Sequence, residues 1–346
     1  MTALSDNLQP LSMTQLLDRA IRLYRSNFLI FVGIVALAQI PATAVNMIGL
    51  WLAPAPETIN MNPTSVTEMW LQIFESSGFV NNGWLWLGRL VTLLLVQLAT
   101  AAMTKAVAEN YLGHKIGLFE AYQKIGRSGV ALLIATFLGI FLIMGLAIWW
   151  IIVPCIGWLS GLGMIFFLSL VILPLVAPII VLEHRSAGQA IQRAWDLGRR
   201  RFWWLIGFML LLGLFGQIVV TGPAFLSVFA VESIVGSGIN TTTSSLIQQV
   251  IMLLLRLIYL PLQLSCVTLL YFDIRVRTEG FDLAVLALSD QVDSETLRVT
   301  APPLEKNVVP RWEEIGYFSL ITIAFVVVYI ALLLIFLVAA LGFSGF

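Results

Sequence analysis

Apolar runs long enough to cross a bilayer recur along the whole chain, and they determine its class. A helix needs about 20 consecutive apolar residues to span the hydrocarbon core. Hydrophobic residues make up 59% of the 346 residues and charged residues only 11%, against about 25% charged in soluble domains. We therefore predict an all-α, polytopic membrane protein with about seven transmembrane helices. The predicted spans are Phe28–Leu52, Trp84–Tyr111, Val130–Val153, Trp158–Leu182, Phe202–Val231, Leu246–Phe272 and Ile315–Leu341.

Prolines lie inside several of these spans. A proline within a helix removes one backbone hydrogen bond, so neighbouring helices must satisfy the carbonyl that it frees. Kinked helices are therefore expected at these positions, which are Pro41, Pro174, Pro178, Pro223 and Pro261.

The basic residues give the orientation. All 19 Lys and Arg residues except Arg89 and Arg256 fall on one side of the predicted membrane, in alternate segments outside the spans or, for Lys105, near the adjoining end of a span. The intervening segments carry acidic residues or no charge, as in Ala53–Gly83 with Glu57, Glu68 and Glu75. Lys and Arg accumulate on the cytoplasmic side. We predict a bacterial inner-membrane protein with a cytoplasmic amino terminus and, after seven spans, an external carboxyl terminus.

An internal repeat organises the chain. Residues 12–33 align with residues 186–207, and both segments open with Ser-x-x-Gln, the pattern of a capping box. A weaker third copy begins at Gly117, with Glu120 at the Gln position and Lys124 at the Arg position. The identical pairs are Ser12/Ser186, Gln15/Gln189, Arg19/Arg193, Ala20/Ala194, Leu23/Leu197, Arg25/Arg199, Phe28/Phe202 and Gly33/Gly207.

Each copy has the pattern of an amphipathic helix. Such helices bind membranes by turning an apolar face to the acyl chains and a basic face to anionic headgroups. We therefore expect them along the cytoplasmic interface, in contact with membrane lipids or with a partner. The predicted lipid- or partner-facing residues are Arg19, Arg22, Arg25, Lys124, Arg193, Arg199 and Arg200.

The predicted architecture is three units, each an interfacial helix plus a two-helix hairpin, followed by one extra span. The units cover residues 12–112, 117–183 and 186–275 within a membrane domain of residues 1–275. Residues 276–311 form a cytoplasmic segment and linker, and residues 312–346 form the seventh transmembrane helix. All units enter from the same side, so an axis along the membrane normal would relate them.

Three segments are similar to a known family. Residues 11–25 (LSMTQLLDRAIRLYR), 190–203 (AIQRAWDLGRRRFW) and 271–282 (YFDIRVRTEGFD) resemble the bacterial membrane-domain family named after glycerophosphoryl diester phosphodiesterase. The resemblance covers about residues 10–290. It implies a membrane-anchoring or regulatory region without the phosphodiesterase barrel, because no soluble stretch approaches the roughly 200 residues that such a barrel takes. The seventh span departs from the six-helix core of the family.

Arg256 is the most costly residue to place. It lies ten residues into its predicted span, about 15 Å from the edge at 1.5 Å per residue. An Arg at that depth costs about 2.5–3.5 kcal/mol, so we expect it to face the bundle and to find acceptors. The candidate acceptors are Gln97, Gln217, Gln263, a freed carbonyl or an anionic ligand. Its partner is therefore either a structural group of the bundle or a bound ligand.

The sequence favours a non-enzymatic function. It offers no catalytic constellation, metal motif or cofactor motif, and His184-Arg185 lacks the partners of an active site. The short basic clusters do not suit nucleic acid. The first hypothesis is a scaffold, partner-binding or lipid-organising module, whose partner is a membrane protein or a second copy. The alternative is a transporter, or transport accessory, for an anionic or amphiphilic small molecule, with Arg256 at its site.

Overall fold

The structure is a computed structural model that describes residues 10–52, 83–235, 241–283, 302 and 310–343. These residues form helices and no strands. We number the helices in chain order; α6 and α8 each contain a π-helical turn. The helices are α1 (Met13–Ser26), α2 (Phe28–Leu52), α3 (Gly83–Tyr111), α4 (Leu118–Gln123), α5 (Ser128–Ile152), α6 (Ile156–Glu183), α7 (Ala187–Arg200), α8 (Phe202–Gly216, continuing as Gly222–Val235), α9 (Thr241–Glu279) and α10 (Trp312–Phe343).

Seven of these helices are long and apolar enough to cross a membrane, which confirms a multi-pass membrane protein. They are α2, α3, α5, α6, α8, α9 and α10. The largest departure from the predicted spans is α9, which continues past Phe272 and past the predicted unit boundary at residue 275, as far as Glu279. It ends at Gly280, whose φ of +63° is a conformation that favours glycine. Most of the predicted linker 276–311 lies outside the described residues.

Two of the predicted proline sites coincide with π-helical turns. The turn Leu168–Ile172 in α6 precedes Pro174, and the turn Gln217–Thr221 in α8 precedes Pro223. A proline cannot donate the backbone bond that would continue the α-helical ladder, and a wider turn is one way to absorb this defect. Pro41, Pro178 and Pro261 lie inside helices.

The predicted capping boxes begin the amphipathic helices. The side chain three residues into each helix accepts a hydrogen bond from the backbone N–H of the capping residue. This arrangement satisfies a donor that a helix start leaves free. The bonds are Ser12 N to Gln15 Oε1 (2.9 Å), Gly117 N to Glu120 Oε2 (3.4 Å) and Ser186 N to Gln189 Oε1 (3.3 Å).

The prediction that α1 lays its apolar face on acyl chains was wrong. Leu16 and Ala20 of that face are fully buried within the protein. The backbone N–H of Leu11, just before α1, donates a hydrogen bond to Asp273 Oδ1 (2.7 Å). Near the other end of α1, the hydroxyl of Tyr24 donates to the backbone carbonyl of Ile258 (3.0 Å). Helix α1 therefore runs alongside the second half of α9. The long α9 supplies the apolar surface that the sequence analysis assigned to lipid.

Helix α7 is buried in the same way against α6. Ala190 and Ala194 are fully buried. A Cβ atom on Gly198 would lie 2.7 Å from Ile172 and 3.2 Å from Phe167, so the two helices meet closely near the π-helical turn of α6. Helix α7 thus folds back along α6 as a packed element of the bundle.

The seventh span, α10, packs on the first part of α6. A Cβ atom on Gly163 would come within 2.1 Å of the carbonyl oxygen of Phe318. The backbone N–H of Gly163 donates to Thr322 Oγ1 (2.9 Å). The ring of Phe318 also contacts the rings of Phe167 (5.7 Å between centroids) and Phe202 (5.6 Å), which stack on each other. The small side chain at residue 163 therefore permits the close approach of α10, as small residues do between membrane helices.

We predict that Gly163→Ala destabilises the protein by about 1–3 kcal/mol, because the added methyl group would overlap the backbone of α10. Thermal unfolding in detergent micelles would measure the change. The control is Gly145→Ala in α5, where a Cβ atom meets nothing within 4 Å. Equal stability of the two variants would show that α10 does not pack on Gly163.

Candidate functional site

Arg256, the predicted centre of an intramembrane site, does not face the bundle. Its side chain is exposed on α9, and within the described part of the chain it makes no hydrogen bond or ion pair. The packed face of α9 at this height is filled by Tyr259, whose hydroxyl donates to the carbonyl of Leu212 (2.5 Å) and whose ring contacts Gly216. The prediction of an inward Arg256 was therefore wrong.

The three predicted glutamine partners do not gather around Arg256. Gln217 is exposed and Gln263 is half-buried. Gln97 is half-buried in a separate cleft of about 330 Å³ between α2 and α3, which Asn46, Arg89, Thr92, Leu93 and Val96 also line. Gln249, Arg256 and Gln263 instead recur every seven residues, so they share one face of α9.

A buried ionic cluster, absent from the sequence prediction, joins α6, α7 and α9. We call Glu183, Arg193, Tyr271, Arg275 and Glu279 the ionic cluster. Arg193 is paired with both Glu279 and Glu183, and its residue is only 1% exposed. The Tyr271 hydroxyl donates to Glu183 Oε1 (2.8 Å) and accepts from Arg275 Nη1 (3.1 Å). Arg275 Nε donates to Glu279 Oε2 (3.1 Å), which closes the network.

The cluster is held by charge as much as by hydrogen-bond geometry. Glu183 Oε2 lies 3.4 Å from Arg185 Nε and 3.5 Å from Arg193 Nε, yet neither contact has the geometry of a hydrogen bond. Charges at these distances attract strongly where water is excluded. Removing one partner would leave the other charged and buried, which costs about 3–5 kcal/mol.

Aromatic rings complete the cluster at the end of α9. The guanidinium of Arg275 lies over the ring of Phe281, with 4.6 Å between its Cζ and the ring centroid. A cation over a ring face is stabilised by the ring quadrupole. The left-handed Gly280 reverses the chain there and brings Phe281 back onto the helix that carries Arg275.

A second ion pair fastens the start of α1 to α9. Arg277 Nε donates to Asp273 Oδ2 (2.9 Å), and Arg277 Nη2 donates to the carbonyl of Leu11. Asp273 also accepts from the backbone N–H of Leu11. Further along α1, Arg19 donates to the hydroxyl of Tyr111 at the end of α3 (3.5 Å). Helix α1 is thereby tied to two spans by polar contacts.

Buried carboxylates lie near the ends of α3, α6 and α9. Glu109, Glu183 and Asp273 are each 3% exposed. Glu109 pairs with Lys105 (3.2 Å). Each of these three helices therefore carries, near its end, a buried carboxylate that is paired inside the protein.

The predicted lipid-facing basic residues divide into two groups. Arg22, Arg25, Lys124 and Arg200 are exposed, and Arg19 is half-buried. Arg193 and the side chain of Arg199 are buried, so the prediction that they face headgroups was wrong. Asp196 accounts for part of the burial of Arg199, because the two side chains are paired on α7 (3.2 Å). Asp196 also pairs with Arg200 (2.9 Å), which stays exposed.

Lys124, at the end of α4, forms a local pair with a residue of that helix. Its ammonium lies 2.9 Å from Glu120 Oε1. The hydrogen bond from Lys124, with a second one from the backbone of Gly117, lowers the pKa of Glu120. Both side chains are about half exposed, so the pair contributes little to stability.

The described residues contain no group of three or more His, Cys, Asp or Glu side chains placed to hold a metal ion. The same chain segments bring His184 near Ser128, with 3.5 Å between Nδ1 and Oγ.

No protein-family model, no curated protein and no solved structure matches this chain.

We predict that Arg193→Leu destabilises the protein by about 3–5 kcal/mol, because Glu183 and Glu279 would lose a shared partner in a buried site. Chemical unfolding in micelles would measure the loss. Arg25→Leu, which removes an exposed charge from α1, should change stability by no more than about 0.5 kcal/mol. Similar effects of the two substitutions would contradict the structural role of Arg193.

Proposed function

We propose that the protein is a non-enzymatic integral membrane module that binds a partner within the bilayer. The contact surface is the face of α9 that carries Gln249, Arg256 and Gln263. The partner is another membrane protein or a second copy of this chain.

The exposure of Arg256 is the observation that carries this proposal. A charged side chain inside a span needs acceptors, and this chain offers it none among the described residues. Gln217 of α8 is also exposed and lies at a similar height, because Leu212 and Gly216 contact Tyr259. An approaching helix with acceptor side chains or free carbonyls would satisfy these groups, since interhelical hydrogen bonds join membrane helices.

The ionic cluster supports a structural rather than a catalytic use of its charges. Its acidic and basic side chains face one another and are nearly inaccessible to solvent. Buried polar groups of this kind can specify one arrangement of helices. In this proposal they hold α7 in place against α6 and α9, so that the bundle presents a fixed surface to its partner.

The repeat, the family and the orientation belong to the same proposal. We take the three units to be related about an axis along the membrane normal, because α1 packs on the last helix of the third unit and α7 on the last helix of the second.

The module would be a membrane-anchoring region related to glycerophosphodiesterases, in a bacterial inner membrane with Lys124 in the cytoplasm. A cysteine in place of Lys124 that reacts with an impermeant reagent added outside intact cells would refute this orientation.

A transport role for an anionic or amphiphilic solute is the second candidate. The cleft between α2 and α3 favours it, because Arg89, Asn46 and Gln97 line that cleft together. The exposed Arg256 does not line it. Substitution Arg89→Gln should weaken solute binding if this role is correct, and unchanged binding would remove it.

We predict that a photoreactive benzophenone amino acid in place of Gln249 cross-links to a partner in native membranes. The same residue in place of Leu254, which is 57% exposed on another side of α9, should cross-link only to lipid. Mass spectrometry of the adducts would distinguish a second copy from a different protein.

The dependence of the cross-link at residue 249 on Arg256 tests the proposed contact surface. Arg256→Leu should abolish the adduct at residue 249, whereas Arg256→Lys, which keeps the charge, should retain it. Equal protein adducts at residues 249 and 254, or adducts that persist in Arg256→Leu, would contradict the proposed contact surface.

A further inference from the structure

A cleft between α5, α6 and α7 combines long apolar walls with a few polar groups. Its volume is about 380 Å³, within the range of small-molecule pockets, about 300–1,000 Å³. Helix α5 contributes one wall, α6 a second, and α7 the third. The lining residues are Leu138, Leu142, Leu146, Met164, Leu168, Gly188, Ile191, Gln192, Trp195 and Pro310.

Trp195 lines this cleft and carries an unsatisfied donor. Its residue is 8% exposed, and its indole Nε1–H is buried without a hydrogen-bond partner in the described part of the chain. The ring is fixed by Phe167 (5.6 Å between centroids) and Phe318 (6.0 Å). A buried donor that lacks an acceptor is costly, so an acceptor from outside the chain would stabilise this site. An indole N–H can only donate, so the group that it binds must be an acceptor.

The cleft changes from polar to apolar along its length. Gly188 and Gln192 lie toward the first turn of α7, where α5 also begins, since Ser128 contacts His184. Leu146 lies about 27 Å further along α5 from Ser128, by helical rise. Leu146 and Met164 make the wall of the cleft apolar at that end. Leu142 is 39% exposed, so this part of the cleft opens on the outside of the helix bundle. The cleft is therefore open to the hydrocarbon in which these helices lie.

We propose that the cleft holds one acyl chain of a bilayer glycerophospholipid. The ester carbonyl accepts a hydrogen bond from Trp195 Nε1–H, and the chain lies between Leu142, Leu146 and Met164. The phosphate lies toward the first turn of α7, where the free N–H groups and the positive end of the helix dipole favour an anion. The site is separate from the α9 face, so either proposal can fail without the other.

Native mass spectrometry of the purified full chain, titrated with dioleoyl phosphatidylglycerol in mixed micelles, tests the proposal. Trp195→Phe keeps an aromatic side chain but removes the Nε1–H donor together with one ring of the indole, so it should weaken binding at least about three- to tenfold, the value of one hydrogen bond. Trp203→Phe is the matched control, because Trp203 is 49% exposed and does not line the cleft. Gly188→Phe should abolish binding, since a side chain there meets no protein atom within 4 Å of its Cβ and can fill the cleft.

Selective weakening by Trp195→Phe and loss in Gly188→Phe would support the assigned site. Equal binding by wild type, Trp195→Phe and Gly188→Phe would overturn it. Oleic acid that competes as well as the phospholipid would overturn the assignment to a glycerophospholipid, because the phosphate would then contribute nothing. Thermal unfolding of each variant without added lipid separates a lost site from a lost fold.

Discussion

The buried pairing of Arg193 with Glu183 and Glu279 is the constraint on which the arrangement of helices depends. Each of these side chains carries its charge into a region that excludes water, and each is tolerable there only because the others are present. The three residues belong to α6, α7 and α9. Their pairing therefore fixes three elements relative to one another: the end of α6, the amphipathic helix α7 and the extension of α9.

Carboxylates on α9 explain why α1 and α7 are inside the bundle. A basic amphipathic helix on a membrane surface keeps its cations in water. Here α9 extends beyond its apolar stretch and presents Asp273 to the start of α1 and Glu279 to α7. The carboxylates take the place of lipid headgroups, and the apolar faces of α1 and α7 take the place of lipid around α9 and α6. The bundle is consequently broader at this end than seven isolated spans would be.

The sequence predicts the spans well because bilayer thickness and backbone hydrogen bonding leave few alternatives. It predicts the surroundings of the amphipathic helices poorly, because a face of Leu16, Ala20 and Tyr24 suits lipid and protein equally. The spacing Asp273-x-Arg275-x-Arg277-x-Glu279 contained a usable signal. It places opposite charges four residues apart, which favours continuation of α9 past the apolar run. Glu183 lies at the end of α6 without a comparable spacing of opposite charges, so the sequence did not indicate its partners.

The error over Arg256 has a different physical origin. The cost of a charge in hydrocarbon predicts an acceptor, but it does not require the acceptor to belong to the same chain. The single chain exposes Arg256 while it buries Arg193 and Arg275. Charged side chains of α9 thus fall into two groups: Arg275 is paired inside the protein, whereas Arg256 is exposed.

A double-mutant cycle between Arg193 and Glu279 tests the central claim most directly. The free energies of unfolding of wild type, Arg193→Leu, Glu279→Gln and the double variant would be compared in the same micelles. Direct pairing predicts that the double variant is more stable than the sum of the single losses by about 1–3 kcal/mol. Additivity within about 0.5 kcal/mol would show that the two side chains do not interact, and would contradict the account of how α7 is held to α9.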